Sequence, residues 1–177
     1  RLTWHPGGDR VMDWQPDGNS VRFQSRRESR TGRDLQLFTV SVEGGLPARI
    51  PLPTAGLSSY SPDGQRIAFN RITREDRTWK RYKGGMAQDV WVYDFKNNTT
   101  EQLTDWIGSD NFPMWHGDTI YYNSDKTGRL QIWAHDTRTG EKRQITNHKE
   151  YDVKNPSLGP DAIVYENGGW LYVLDLK

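Results

Sequence analysis

One short pattern recurs four times along this 177-residue chain, and it leaves few folds open. It reads WQPDGNSVRF at 14–23, YSPDGQRIAF at 60–69, WHGDTIYY at 115–122 and SLGPDAIVY at 157–165. Pro presets φ, Asp bonds to nearby backbone and Gly accepts φ > 0, so Pro-Asp-Gly is turn chemistry. Each turn feeds a short β-branched and aromatic run: Val21–Phe23, Ile67–Phe69, Ile120–Tyr122 and Ile163–Tyr165. Such runs bounded by turn residues read as strands. A second strand class follows each of them: LQLFTVSV (35–42), DVWVYDF (89–95), LQIWAHD (130–136) and WLYVLDL (170–176). Polar hairpins (EGG, KNN and RTG) come after three of these and lead to outer segments ending at Ile50, Leu103 and Ile145.

A unit of four strands recurring every 43 to 55 residues or so, counted from Asp17 to Asp63, Asp118 and Asp161, is the signature of β-propeller blades. No stretch keeps a 3.6-residue apolar period, which argues against a helical fold. The sequence therefore predicts an all-β propeller of four four-stranded blades. They span approximately 4–53, 54–106, 107–149 and 150–177 plus 1–3. The last assignment rests on a second repeat. Leu2-Thr3 precedes Asp9 as Leu103-Thr104 precedes Asp110 and Ile145-Thr146 precedes Asp152. Residues 1–3 thus read as an outer strand, and the fourth unit stops after its third. The expectation is that the N-terminal strand completes the C-terminal blade and satisfies its edge. A single-chain ring is the preferred closure. An eight-blade ring of two chains sharing strands stays open, because propellers run from four to eight blades.

Composition bounds the function classes. Twenty-four Lys and Arg balance 23 Asp and Glu, so no global charge steers the chain to nucleic acid or anionic lipid, and neither partner is expected. No apolar run approaches the roughly 18 residues of a membrane span. Eight Trp and eight Tyr supply bulk that disordered chains lack. The absence of cysteine removes disulfides, thiolate zinc sites and Cys nucleophiles together.

Candidate chemistry is sparse. His5, His116, His135 and His148 are scattered without metal-ligand spacing, and no GxSxG elbow occurs, so no catalytic, metal or cofactor residue is assigned. Asp17, Asp63, Asp118 and Asp161 recur once per blade, and hairpin geometry is the sufficient reason for them. The strand aromatics Phe38, Trp91, Tyr93, Trp133, Trp170 and Tyr172 read as packing between blades. Two basic stretches, RRESRTGR (26–33) and REDRTWKRYK (74–83), fall between second and third strands and should emerge on one face. In the second, Arg77, Trp79, Lys80, Arg81 and Tyr82 are candidates for contact with a peptide carboxylate or a protein partner. A solvated loop is the plainer reading of the first.

These repeats are not the WD type, since no GH…WD pairing appears. SPDG followed by a short strand resembles the repeats shared by tricorn-type proteases, TolB-like proteins and prolyl-oligopeptidase relatives. The insertion TWKRYKGG within RITREDRTWKRYKGGMAQDVWVY (71–93), with FTVSVEGGLPARIPLPTAG (38–56) and NSDKTGRLQIW (123–133), resembles the N-terminal propeller of bacterial tricorn-like proteases. That resemblance implies a non-catalytic module of a cytosolic serine peptidase, scaffolding the enzyme and guiding oligopeptides. The implied partners are the parent peptidase's other domains and oligopeptides, and no cofactor is implied. The alternative is a stand-alone, TolB-like protein-interaction propeller. The family's propellers have six and seven blades, a departure from the four seen here, and none of its catalytic residues maps onto this sequence.

Overall fold

The computed structural model describes residues 1–73 and 81–177. It contains four antiparallel sheets, each a meander of consecutive strands. Blade 1 is formed by β1 (Asp9–Trp14), β2 (Ser20–Ser25), β3 (Gln36–Ser41) and β4 (Ala48–Arg49); blade 2 by β5 (Ser58–Tyr60), β6 (Arg66–Asn70), β7 (Val90–Asp94) and β8 (Thr99–Gln102). In blade 3 the strands are β9 (Asp110–His116), β10 (Thr119–Ser124), β11 (Gln131–Asp136) and β12 (Lys142–Gln144). Blade 4 has three strands, β13 (Lys154–Leu158), β14 (Ala162–Asn167) and β15 (Trp170–Asp175). The expected all-β, four-bladed propeller is what forms.

The repeated turns close the hairpins as their chemistry requires. Gly64, at φ +68°, takes the left-handed position of the SPDG turn, where a Cβ would be strained. The Asp63 carboxylate accepts the Gln65 N–H at 3.0 Å, and Asp17 accepts that of Asn19 at 2.9 Å. These aspartates thus hold the turns.

Alternation along the strands sends side chains to opposite faces of each blade, one against the preceding blade and one against the following blade. Leu37, Ile50, Leu52 and Ala55 of blade 1 and the segment after it pack with Ile67, Phe69 and Tyr93 of blade 2. Ala68 and Val90 of blade 2 pack with Trp115, Ile120 and Tyr122 of blade 3. Met114, Tyr121, Ile132 and Ala134 of blade 3 meet Val153, Ile163 and Tyr165 of blade 4. A fourth cluster, Phe23, Phe38 and Val40, lies on the face of blade 1 turned away from blade 2, with Leu2 and Val21 against it.

One element of the expected fold is corrected. Arg1–Thr3 adopts no strand and does not complete blade 4, whose sheet ends at β15. The side chain of Leu2 packs on Phe23 and Phe38 of blade 1, while Leu171 and Val173 of β15 stay exposed, so the edge of blade 4 lies out of reach of the segment.

Candidate functional site: a cleft beside the blade 2 insertion

The connections between second and third strands emerge together at one end of the blades, as antiparallel meanders demand. The longest joins β6 to β7. Its neighbours are the β10–β11 turn and the segment that links blade 2 to blade 3. Between them lies a cleft of about 360 Å³ whose lining includes Arg71, Gly84, Asp89, Trp91, Trp106 and Ile107.

Each polar group in the cleft is positioned by a strand end or a tight connection. Trp91 belongs to β7, and the Arg71 guanidinium lies 4.7 Å from its ring centre. Trp106 is held edge-on: its Nε1–H donates to Asp125 Oδ1 at 2.7 Å, and the Ser109 N–H donates to the same oxygen at 3.0 Å. Gly108 sits inside this bend, where a Cβ would collide with both Asp125 Oδ1 and Trp106 Nε1. The Lys83 ammonium stands 5.8 Å from the Trp106 ring. Both indoles therefore carry a cation at a distance typical of ring-face attraction.

Asp89, just before β7, supplies the opposite charge. One of its oxygens accepts from Gln102 Nε2 at 3.2 Å. Burial, with the nearby Asp105 carboxylate, raises its pKa above the usual aspartate value. A second, smaller cleft of about 270 Å³ lies on the other side of Arg71, lined by Arg33, Asp34, Thr54 and Met86 among others. Arg71 borders both. The combined lining offers the cations Arg71 and Arg33, the aspartates Asp89 and Asp34 and the indoles of Trp91 and Trp106, which suits a zwitterionic, partly apolar chain such as a peptide. Among the described residues, the lining of the larger cleft includes no serine, cysteine or histidine.

Of the five contact residues expected from sequence, Arg77, Trp79 and Lys80 lie outside the described residues. Arg81 is placed beside blade 3: its Nε donates to the Gly128 carbonyl at 3.1 Å, with its own φ at +54°. Tyr82 folds back over Gly84, its hydroxyl 2.7 Å from where a Cβ on Gly84 would lie. Neither residue lines the larger cleft; both brace its rim. Sequence reading passed over Arg71, Asp89 and Trp106, the groups that do line it. Trp106 carried a usable signal, because Asp105-Trp106 follows Leu103-Thr104 where Ile145-Thr146 is followed by Asn147-His148.

The histidines and strand aromatics are largely structural. His148 lies edge-on to Tyr165 and Tyr172, and its Nε2 is 3.1 Å from the Tyr165 hydroxyl. His135 is buried, and burial lowers its pKa. Phe38, Trp91, Tyr93 and Trp133 all pack in or against blade clusters. Trp170 departs from the expectation. It precedes Leu171, which pairs with Glu166 as Val90 pairs with Asn70, so Tyr172 rather than Trp170 takes the place of Trp91. Trp170 projects into solvent.

Fold and repeats together define a propeller of the SPDG-repeat class. Residues 1–177 match the Tricorn protease N-terminal beta propeller domain, and the chain belongs to that family. It is 26% identical over 140 residues to a Tricorn protease homolog of Saccharolobus solfataricus, covering 79% of this chain and 13% of that protein. It is 24% identical over 177 residues to Tricorn protease homolog 1 of Streptomyces coelicolor, covering 99% of this chain and 16% of that one. The chain thus spans under a fifth of these relatives' length. Among solved structures, a TolB protein from Agrobacterium tumefaciens superposes with a TM-score of 0.72 at 16% identity, covering 99% of this chain and 79% of that one. The crystal structure of the tricorn protease does so at 0.60 and 18% identity, covering 98% and 22%. No helix among the described residues is long and apolar enough to cross a membrane.

Proposed function

We propose that this chain is a non-catalytic propeller module of a tricorn-like serine peptidase, which scaffolds the enzyme and guides oligopeptides across the face bearing the blade 2 insertion. The observation that carries the reading is the cleft between Trp91 and Trp106, with Arg71 and Asp89 in its wall. Oligopeptides carry a cationic and an anionic terminus joined by a chain of mixed polarity. Arg71 suits the carboxylate, Asp89 the ammonium, and the indoles the apolar side chains between.

The test is a titration of the 177-residue chain with short peptides whose termini are free, acetylated or amidated, followed by tryptophan fluorescence and calorimetry. Free peptides should bind, and blocking either terminus should weaken binding about tenfold, on the order of one charge-assisted hydrogen bond. Arg71→Ala should abolish the sensitivity to C-terminal amidation alone. Binding indifferent to both blocks, or none at millimolar peptide, would sink the proposal.

A further inference from the structure

The end of the blades away from the insertion, where first strands turn into second strands, carries a pocket of its own. It opens at the boundary of blades 1 and 2 and encloses about 550 Å³, a volume typical of binding pockets. Its walls are two Pro-Asp-Gly turns, with Pro16 and Asp17 on one blade and Pro62 and Asp63 on the next, and Tyr60 and Phe95 lie between them. The turns abut: a Cβ placed on Gly64 would lie 3.6 Å from Pro16 Cγ. Tyr60 and Phe95 stack with ring centres 5.8 Å apart, and Phe95 is edge-on to Tyr93. Tyr60 and Phe95 are only half-buried, so the fold does not seal either ring.

The corresponding place at the next boundary shows what such a gap takes. Strand registers equate Tyr60 with Trp115, which face Ile67 and Ile120 just after their turns. They equate Ser20 with Arg66, the residues before Val21 and Ile67. Arg66 reaches from blade 2 toward blade 3 and sets its guanidinium 4.8 Å from the Trp115 ring centre, and Trp115 is buried. A cation on an aliphatic stem thus covers the ring between blades 2 and 3. Between blades 1 and 2 the place of Arg66 belongs to Ser20, whose side chain is too short to cross. Phe95 adds to the difference. Its N–H bonds to the Gln65 carbonyl as those of Val42, Thr137 and Leu176 bond to Asn19, Asp118 and Asp161, and of these four donors it alone is aromatic.

The pocket is acidic. Asp17 and Asp63 both line it, and among the described residues its lining includes no lysine or arginine. The Asp63 carboxylate accepts from the Ser61 hydroxyl and the Gln65 N–H, which hold its pKa below the usual aspartate value and keep it charged. Two cations lie nearby, and both are directed elsewhere. Arg66 is close enough to help hold Asp63 ionised but is turned to Trp115. Arg22 is buried against Tyr60, where it bonds to the Ser58 carbonyl and stands 3.8 Å from Asp13. Rings flanked by carboxylates match a cation on an apolar stem, which lays its methylenes on the rings and keeps its charge at the edge.

We propose that this pocket receives an arginine side chain presented by a peptide segment, seated much as Arg66 is at the next boundary. The stem of that arginine lies against Phe95 and the two prolines, and its guanidinium meets Asp17 and Asp63 at the mouth. Arginine is favoured over lysine because its planar fork bonds to carboxylates while stacking on a ring. First-to-second and second-to-third connections of an antiparallel meander emerge at opposite ends. The pocket is therefore remote from the cleft between Trp91 and Trp106, and its occupancy does not depend on the role proposed for that cleft.

Calorimetric titration of the 177-residue chain with acetyl-Gly-Arg-Gly-amide and with its citrulline counterpart tests the proposal. Neither peptide has a charged terminus, so a failure here is separate from any failure of peptide binding in the cleft. The arginine peptide should bind about tenfold more tightly than the citrulline peptide, on the order of one charge-assisted hydrogen bond. The double variant Asp17→Asn, Asp63→Asn leaves each turn an acceptor oxygen and should abolish that preference. Ser20→Arg supplies from within the cation that Arg66 provides at the next boundary. It should abolish binding of the arginine peptide by occupying the pocket, and it decides the matter alone if the double variant does not fold. Equal binding of the two peptides, or none at millimolar concentration, overturns the proposal. An arginine preference that survives either folded variant overturns it equally, because the cation would then be held on another surface.

Discussion

The side-chain amide of Asn70, at the end of β6 in blade 2, donates to the main-chain carbonyl of Asp110 in blade 3 at 2.9 Å. The same amide donates to the Asp89 carbonyl at 2.8 Å. Asn123 reaches Val153 across the next boundary at 3.2 Å, and Gln24 reaches Ala55 at 3.4 Å. An amide at this place spans each boundary. Replacing Asn70 by Ala would orphan two carbonyls in a buried setting, and we expect a loss of about 1–3 kcal/mol in urea unfolding. Asn70→Asp should cost more, because a carboxylate cannot donate to either carbonyl. A fall in the urea midpoint that is equal for Ala and Asp would refute this account.

Asp110 itself makes stability depend on pH. Burial pushes its pKa up to about 6, partly offset by hydrogen bonds from Ser124 and Thr104. The folded state therefore holds this proton at a pH where the unfolded state, near the model-compound value of 3.8, has released it. Stability from this group is fully present below pH 4 or so and is lost as pH rises through about 6, a swing of order 1–3 kcal/mol. Asp89, also raised by burial, acts in the same direction. Thermal melts from pH 4.5 to 7.5 should show the decline, and Asp110→Asn should flatten it. A variant with the parent's slope would show that another group is responsible.

Arg22 is buried on the face of blade 1 that meets blade 2. Its Nη2 donates to the Ser58 carbonyl at 2.8 Å, and its guanidinium lies 5.0 Å from the Tyr60 ring centre. Burial lowers its pKa, a sign that the charge is costly there. We expect Arg22→Ala to lose about 2–4 kcal/mol through the cavity it leaves. Arg22→Met, which fills the volume and removes the charge, should lose less than half as much. Equal losses in denaturant unfolding would place the contribution in the ion rather than in its packing.

Trp106 depends on one oxygen of Asp125 for its orientation. Asp125→Ala should release the indole, red-shift its emission and weaken peptide binding at the cleft about tenfold, with little change in the melting temperature. Gly108→Ala should reproduce the effect by steric means. Unchanged emission in both variants would show that the cleft wall is fixed by other contacts.

The repeats were legible because blade architecture is written at short range. Pro-Asp-Gly turns, two-residue alternation and the Leu-Thr…Asp spacing each concern residues close in sequence, and all four sheets follow from them. The Thr104–Asp110 and Thr3–Asp9 bonds give the last of these signals its physical cause. The cleft was much less legible. It combines Arg71, Asp89 and Trp106, drawn from a strand end, an insertion and a linker between blades, and no local pattern announces that they meet. The expected pairing of Arg1–Thr3 with the last blade failed for a related reason. Sequence showed what the segment is, but not which sheet would be in reach of it.

The clusters that bind blade to blade follow chain order, 1 with 2, 2 with 3 and 3 with 4. Cohesion of this sort is transmitted between neighbours only, as in a row of coupled units. Damage at the boundary of blades 1 and 2 should leave the packing of Ile132 against Ile163 intact. Unfolding would then begin at whichever end is less well secured and travel inward, so that the protein comes apart in stages, like a zip, rather than all at once.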